Sequence, residues 1–250
     1  MRQFTLIAGL LLLLLTAPAA YAQPAATTAG QKNAPRFADA IEAFLKEDQT
    51  HPPPKQAILF IGSSIFRQWK NLKEQMAPLP VFNRAFGGSR SAEVLYYMDK
   101  VVLPYEPKII VYYCGSNDIN ANIKPEEIAG NFKQFVQRVQ AKLPKTQIFF
   151  TSINRAPQKM DRWVEVDATN ALIKEFCTKD KRLGFIDVNP ALFDEEGKPR
   201  MELYLPDKLH FLEPAYAEFT TIIKPFIEKA RPMSTSAASR CRSRSSILTT

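Results

Sequence analysis

Five short, almost unbroken apolar runs punctuate this chain, and each is followed by a stretch with helical spacing. The runs are Ala57–Gly62, Val81–Arg84, Lys108–Cys114, Thr146–Ser152 and Gly184–Val188. The helical stretches include Ala92–Val102, Pro125–Leu143, Trp163–Lys179 and Pro214 to about Ala230. A strand that is apolar throughout must be covered on both faces, and strand–helix alternation makes such strands parallel. Right-handed crossovers then put the helices in two layers. The expected fold class is α/β, a three-layer α/β/α sandwich. Pro125 and Pro214 suit first helical turns, where a missing N–H costs nothing. A further helical stretch, Arg36–Asp48, precedes strand one and is broken by "HPPPK". No internal repeat is visible.

The ends read differently from this middle. Arg2, then "LIAGLLLLLL", then "AYAQ" make a signal peptide over residues 1–22 with cleavage after Ala22. The apolar run is too short for a membrane span. The chain is therefore expected to be secreted or periplasmic. A Pro/Ala/Thr/Gly linker follows over 23–35, and the folded domain would occupy 36–230. From Arg231 the chain is rich in Ser, Thr and Arg without apolar periodicity, and it reads as a disordered basic tail over 231–250. The formal charge of +8 owes much to these ends. Without the tail's four arginines and Arg2, the 33 basic residues become 28 against 25 acidic ones. That balance gives no ground for a nucleic-acid partner, and no protein partner is inferable. The three cysteines, Cys114, Cys177 and Cys241, read as two buried free thiols and one exposed thiol. No CxxC pair or His-rich cluster suggests a metal, and no GxxxxGK or GxGxxG follows strand one.

In open α/β sheets, ligands bind beyond the carboxyl ends of the strands. Strand one ends in "GSS" (Gly62–Ser64), strand two in "NRAFGGS" (Asn83–Ser89), strand three in "GSND" (Gly115–Asp118) and strand four in "INRAP" (Ile153–Pro157). "PDKLHF" (Pro206–Phe211) precedes the last helix. Taken singly, Ser63 and Ser64 read as a helix cap, and turn glycines and asparagines are ordinary. Together they suggest acyl transfer. Of two histidines, His51 lies in a proline-rich lead-in, while His210 follows Asp207 by three residues. That spacing lets a carboxylate hold Nδ1–H and leaves Nε2 as a base. A serine hydroxyl needs such a base, and a developing oxyanion needs donors. Bare backbone at Phe86–Gly88 and the Asn117 amide could supply them.

The ordered blocks "FIGSSI", "NRAFGGS", "YCGSND" and "DKLH" resemble those of the SGNH hydrolases, the GDSL-type lipases and esterases. The form "GSSI" followed by Trp69 resembles the platelet-activating-factor acetylhydrolase-like branch. Ser63 stands where the family's first block has Asp, which is not the triad acid. The resemblance implies a flavodoxin-like five-stranded sheet of order 2-1-3-4-5. It also implies a serine esterase in which Ser64, His210 and Asp207 form the triad. The oxyanion donors would be the backbone of Ser64 and Gly88 and the Asn117 side chain. It calls for no cofactor. The substrate would be a small-molecule or carbohydrate ester, with acetyl groups typical of exported members. Asn154 and Arg155 are candidate substrate contacts. Trp69 reads as packing behind the nucleophile, Phe66, Tyr96 and Tyr97 as core, and Asp118 as capping or orienting its loop rather than reacting. The alternatives are an acyltransferase using the same triad and a non-catalytic carbohydrate-binding module on the hydrolase scaffold.

Overall fold

The structure is a computed structural model that describes residues 36–230. The signal-peptide, linker and tail readings, with Cys241, lie outside the described residues. Helix α1 (Ala38–Thr50) leads into β1 (Ile58–Gly62). Short helices α2 (Ser64–Arg67) and α3 (Leu72–Met76) precede β2 (Val81–Asn83). Helix α4 (Ser91–Val101) precedes β3 (Ile109–Tyr113), and α5 (Ser116–Asn120) and α6 (Pro125–Lys142) precede β4 (Gln147–Thr151). Helix α7 (Trp163–Cys177), β5 (Leu183–Ile186) and α8 (Glu213–Ala230) complete the described chain. All five apolar runs form strands, with ends displaced by a residue or two. The helix expected after the serine pair is α2, whereas α3 and α5 were not anticipated, because five residues are too few to show a period.

The strands pair in parallel in the order β2-β1-β3-β4-β5. Strand side chains alternate between faces, and the two faces bury separate cores. Leu59, Ile61, Ile110, Tyr112, Ile148 and Phe150 pack with buried residues of α4, α6 and α7. Ile58, Phe60, Ile109, Val111, Tyr113 and Phe149 pack with α2, α3 and α8. Each such side chain contributes about 1.5–3 kcal/mol when fully buried, which is why strands with no polar face are tolerated. Cys114 and Cys177 are buried free thiols. Among the described residues, no helix is long and apolar enough to cross a membrane.

Helix α1 is docked through a buried cation. Arg84, just past β2, is 5% exposed. Its Nε donates to the Tyr105 hydroxyl at 3.2 Å, and its Nη2 donates to Asp48 of α1. The Tyr105 hydroxyl also donates to Asp48. This network fixes the N-terminal helix beside the edge of the sheet.

The tightest backbone contact lies at the carboxyl end of the sheet. Gly62 has φ +140°, and a Cβ there would stand 1.7 Å from the Tyr113 carbonyl oxygen. Only glycine lets β1 end this close to β3. Gly62→Ala is expected to lose about 3–5 kcal/mol of stability, and the melting temperature by about 10 °C. A thermal scan showing an unshifted Tm would contradict this reading.

Candidate active site

Past Gly62 the chain turns at once into α2. The Ser63 N–H donates to the Tyr113 carbonyl at 3.0 Å, and its own carbonyl accepts from Arg67 N at 3.1 Å. The Ser63 side chain makes no cap hydrogen bond, and its Oγ is buried without a partner among the described residues. The capping explanation of the serine pair therefore does not apply to the Ser63 hydroxyl. Ser64 is half-buried at the first position of α2, with Oγ 2.9 Å from His210 Nε2. His210 Nδ1 is 2.6 Å from Asp207 Oδ2. The other oxygen of Asp207 accepts from the N–H groups of Leu209 at 3.0 Å and His210 at 2.9 Å. Burial alone would raise this carboxyl, but the bonds from the His210 ring and the two N–H groups outweigh it and hold it down to about 2. It is a carboxylate at neutral pH. With Nδ1–H donated to that carboxylate, Nε2 is left to accept from the serine.

The loop carrying Asp207 and His210 is pinned on both sides. Leu205 N donates to the His210 carbonyl at 2.8 Å, and Leu212 N to the Leu203 carbonyl at 2.9 Å. Lys208 turns the chain with φ +58°. Its carbonyl accepts from Gln158 N at 3.0 Å, so the loop after β4 braces the turn. Behind Ser64, Trp69 is buried against Phe60, Phe66, Tyr216 and Phe219. Phe66 and Tyr97 are core residues, whereas Tyr96 is exposed.

The glycine turn is tied to the same strand end. The Gly62 carbonyl accepts from Phe86 N at 2.9 Å and from Ser89 Oγ at 3.1 Å. Gly88 has φ +81°, a left-handed conformation that favours glycine. Asn117 Nδ2 donates to the Ser89 carbonyl at 3.0 Å, one residue past Gly88, and keeps its second N–H. Ser64, Gly88, Asn117, Asp207 and His210 thus come from four segments joined by hydrogen bonds at one end of the sheet.

One expectation needs correction and another needs extending. Asn154 has no exposed surface, and its Oδ1 accepts from the buried Tyr113 hydroxyl, so it does not reach the surface as a substrate contact would. The Asp118 carboxyl is bonded by its own backbone N–H and also reaches beyond its loop. Both its oxygens accept from Ser91 N at 3.0 Å, and Oδ1 also accepts from Ser91 Oγ at 2.5 Å, so it caps the start of α4. Burial raises Asp118 to about 6 against the opposing bonds from Ser91. Arg155 is half-exposed but is committed to Asp167 through two bonds of 2.7 Å. It lines a groove of about 510 Å³ with Trp163, Asn189 and Phe193, and none of the triad candidates lines that groove.

Lys159 escaped sequence analysis altogether. In "PQKMD" a lysine reads as solvated, yet this one is 1% exposed. Its Nζ donates to Ser116 Oγ at 2.5 Å, the Ser116 carbonyl at 3.1 Å and Asn120 Oδ1 at 3.2 Å. Among the described residues it has no carboxylate partner. It grips the turn that presents Asn117.

The sequence pattern of the GDSL-like lipase/acylhydrolase family matches residues 60–217, which span every segment just described. The chain belongs to that family. Solved structures agree on the fold. One from Streptococcus pneumonia, named for platelet activating factor, superimposes with TM-score 0.67 at 21% identity, covering 76% of this chain and 91% of that one. A GDSL-like lipase from Bacteroides thetaiotaomicron gives 0.64 at 19% identity, covering 76% and 98%. A carbohydrate esterase family 3 protein from Talaromyces cellulolyticus gives 0.57 at 14% identity, covering 69% and 96%. No curated protein matches the chain in sequence.

Burial, and then the nearby Arg162 charge, lower the Lys159 amine from 10.5 to about 8. Between those two pH values the unfolded chain binds more protons than the folded one, so stability rises with pH there. Urea unfolding is expected to show wild type gaining stability relative to Lys159→Met between about pH 8 and pH 10. A constant difference would mean that the amine is not buried as described.

Proposed function

We propose that the protein is an exported serine esterase that hydrolyses carboxylic esters with short acyl groups, such as acetyl on carbohydrate or lipid. The observation that carries this reading is the line of two hydrogen bonds, 2.6 Å and 2.9 Å, from Asp207 through His210 to Ser64. Serine is a poor nucleophile without a base, and an imidazole is a better base when a carboxylate fixes its tautomer. Family membership supports ester chemistry, and the carbohydrate esterase among the similar folds supports a sugar ester. The signal-peptide pattern read from residues 1–22 supports export.

In this mechanism Ser64 Oγ forms a bond to the ester carbonyl carbon as its proton passes to His210 Nε2. Asp207 balances the imidazolium. Negative charge on the former carbonyl oxygen meets the N–H groups of Ser64 and Gly88 and the second N–H of Asn117. When the carbon–oxygen ester bond breaks, His210 gives its proton to the leaving alcohol. Water, deprotonated by the same imidazole, then adds to the acyl-Ser64 ester. Its collapse releases the acid and returns the proton to Ser64.

The test uses residues 23–230, a fluorophosphonate probe and p-nitrophenyl acetate. Wild type should label and turn over. Ser64→Ala should do neither, with turnover lower by more than about 10³-fold, and Asp207→Asn should lose about 10⁴-fold in kcat. Labelling of Ser64→Ala at the wild-type rate would remove Ser64 from its role. Acetyl transfer to an added sugar, in place of acetate release, would convert the reading to an acyltransferase.

A further inference from the structure

Arginine side chains line the glycine turn beside the proposed nucleophile. Arg67 lies three residues after Ser64 on α2, so the two side chains are neighbours on one helical face. The Arg67 chain crosses Gly87, where a Cβ would stand 3.1 Å from Arg67 Cδ and 3.3 Å from Nη1. Gly87 is not among the residues with positive φ. Its backbone therefore does not call for glycine, whereas the space taken by Arg67 does. On the other side of the turn, Arg36 Nη2 donates to the Gly88 carbonyl at 3.2 Å. The second arm of Arg36 is 3.4 Å from the buried carboxylate of Glu93, which Arg90 also approaches at 3.4 Å. Glu93 thus balances one of these charges. Arg67 is exposed and has no hydrogen-bond or acidic partner among the described residues.

An unpaired exposed arginine is ordinary on an open surface. Here its guanidinium is stretched between the helix that carries Ser64 and the turn that carries Gly88. An ester reacting at Ser64 must lie between those two elements. A planar guanidinium with free N–H groups matches a carboxylate in two-point fashion. We propose that Arg67, backed by the charge of Arg36, binds a carboxylate on the substrate and so selects acidic esters, such as acylated acidic sugars. This rests on the esterase reading of Ser64.

The test compares charged esters with their neutral isosteres, so that intrinsic reactivity cancels between enzyme variants. One pair, 4-acetoxybenzoate and its methyl ester, carries the charge on the alcohol side. The other, phenyl hemisuccinate and its methyl ester, carries it on the acyl side. In at least one pair, Arg67→Gln should lower the ratio of kcat/KM for charged over neutral ester about tenfold, chiefly through KM. Arg67→Lys should retain part of the ratio, and 0.5 M salt should reduce it in wild type. An unchanged ratio in both pairs overturns the proposal while leaving the esterase intact. If wild type hydrolyses none of the four, the esterase reading fails. Calorimetric titration of 4-acetoxybenzoate onto wild type and Arg67→Gln then decides separately. Binding about tenfold weaker in the variant supports the anion site, and equal or absent binding overturns it.

Discussion

The closeness of Gly62 to the Tyr113 carbonyl decides where the rest of the site can stand. A Cβ at this point would push β1 and β3 apart at the end where the loops converge. Because β1 and β3 are central in the sheet, that displacement would reach both cores. The same glycine's carbonyl receives Phe86 N and Ser89 Oγ, which fixes the glycine turn after β2. Its successor's N–H meets Tyr113 and sets the direction in which α2, and hence Ser64, departs. A single missing side chain thus sets the relative position of two loops that no sequence spacing connects.

Charged groups around these loops are handled in three ways. Asp207 is partly exposed and paired, and its bonds keep it ionised. Asp118 is buried, but it faces the first N–H of α4, where partial positive charge favours a carboxylate. Lys159 is buried against neutral oxygens only. Burying an ion costs several kcal/mol even after relaxation, so three hydrogen bonds to uncharged acceptors do little more than offset that cost. The gain from Lys159 is therefore geometric. It fixes Ser116, and the backbone of Ser116 sets where Asn117 begins.

Much of the fold was legible because the strands are apolar on both faces, a pattern that leaves no choice but a covered parallel sheet. The grouping of Ser64, Gly88, Asn117, Asp207 and His210 was legible for a related reason. Parallel strands send all their carboxyl ends to one side, so motifs at those ends must be neighbours. What the sequence hid was the direction of individual side chains within those loops. Asn154 and Arg155 are adjacent, yet Asn154 turns inward to Tyr113 and Arg155 turns out to Asp167. Lys159 was hidden because the oxygens that hold it belong to α5, 39 to 43 residues earlier in the chain. Asp118 stabilises a helix that precedes it by a whole strand, and no local rule points there.

The candidate base and nucleophile are 146 residues apart in the chain, and only a chain of contacts can hold them at hydrogen-bond distance. Part of that chain runs through two adjacent residues. Gln158 holds the Lys208 carbonyl, between Asp207 and His210, and Lys159 holds Ser116, next to Asn117. The loop after β4 therefore contacts both the Asp207–His210 turn and the asparagine turn. Such bracing favours a site arranged before substrate arrives, because a hydrogen-bond donor already in place need not reorganise as charge develops. It also separates two tasks. Residues behind the site set the distances among the groups proposed to react, while residues on its open side, the exposed Arg67 among them, are left to distinguish one ester from another.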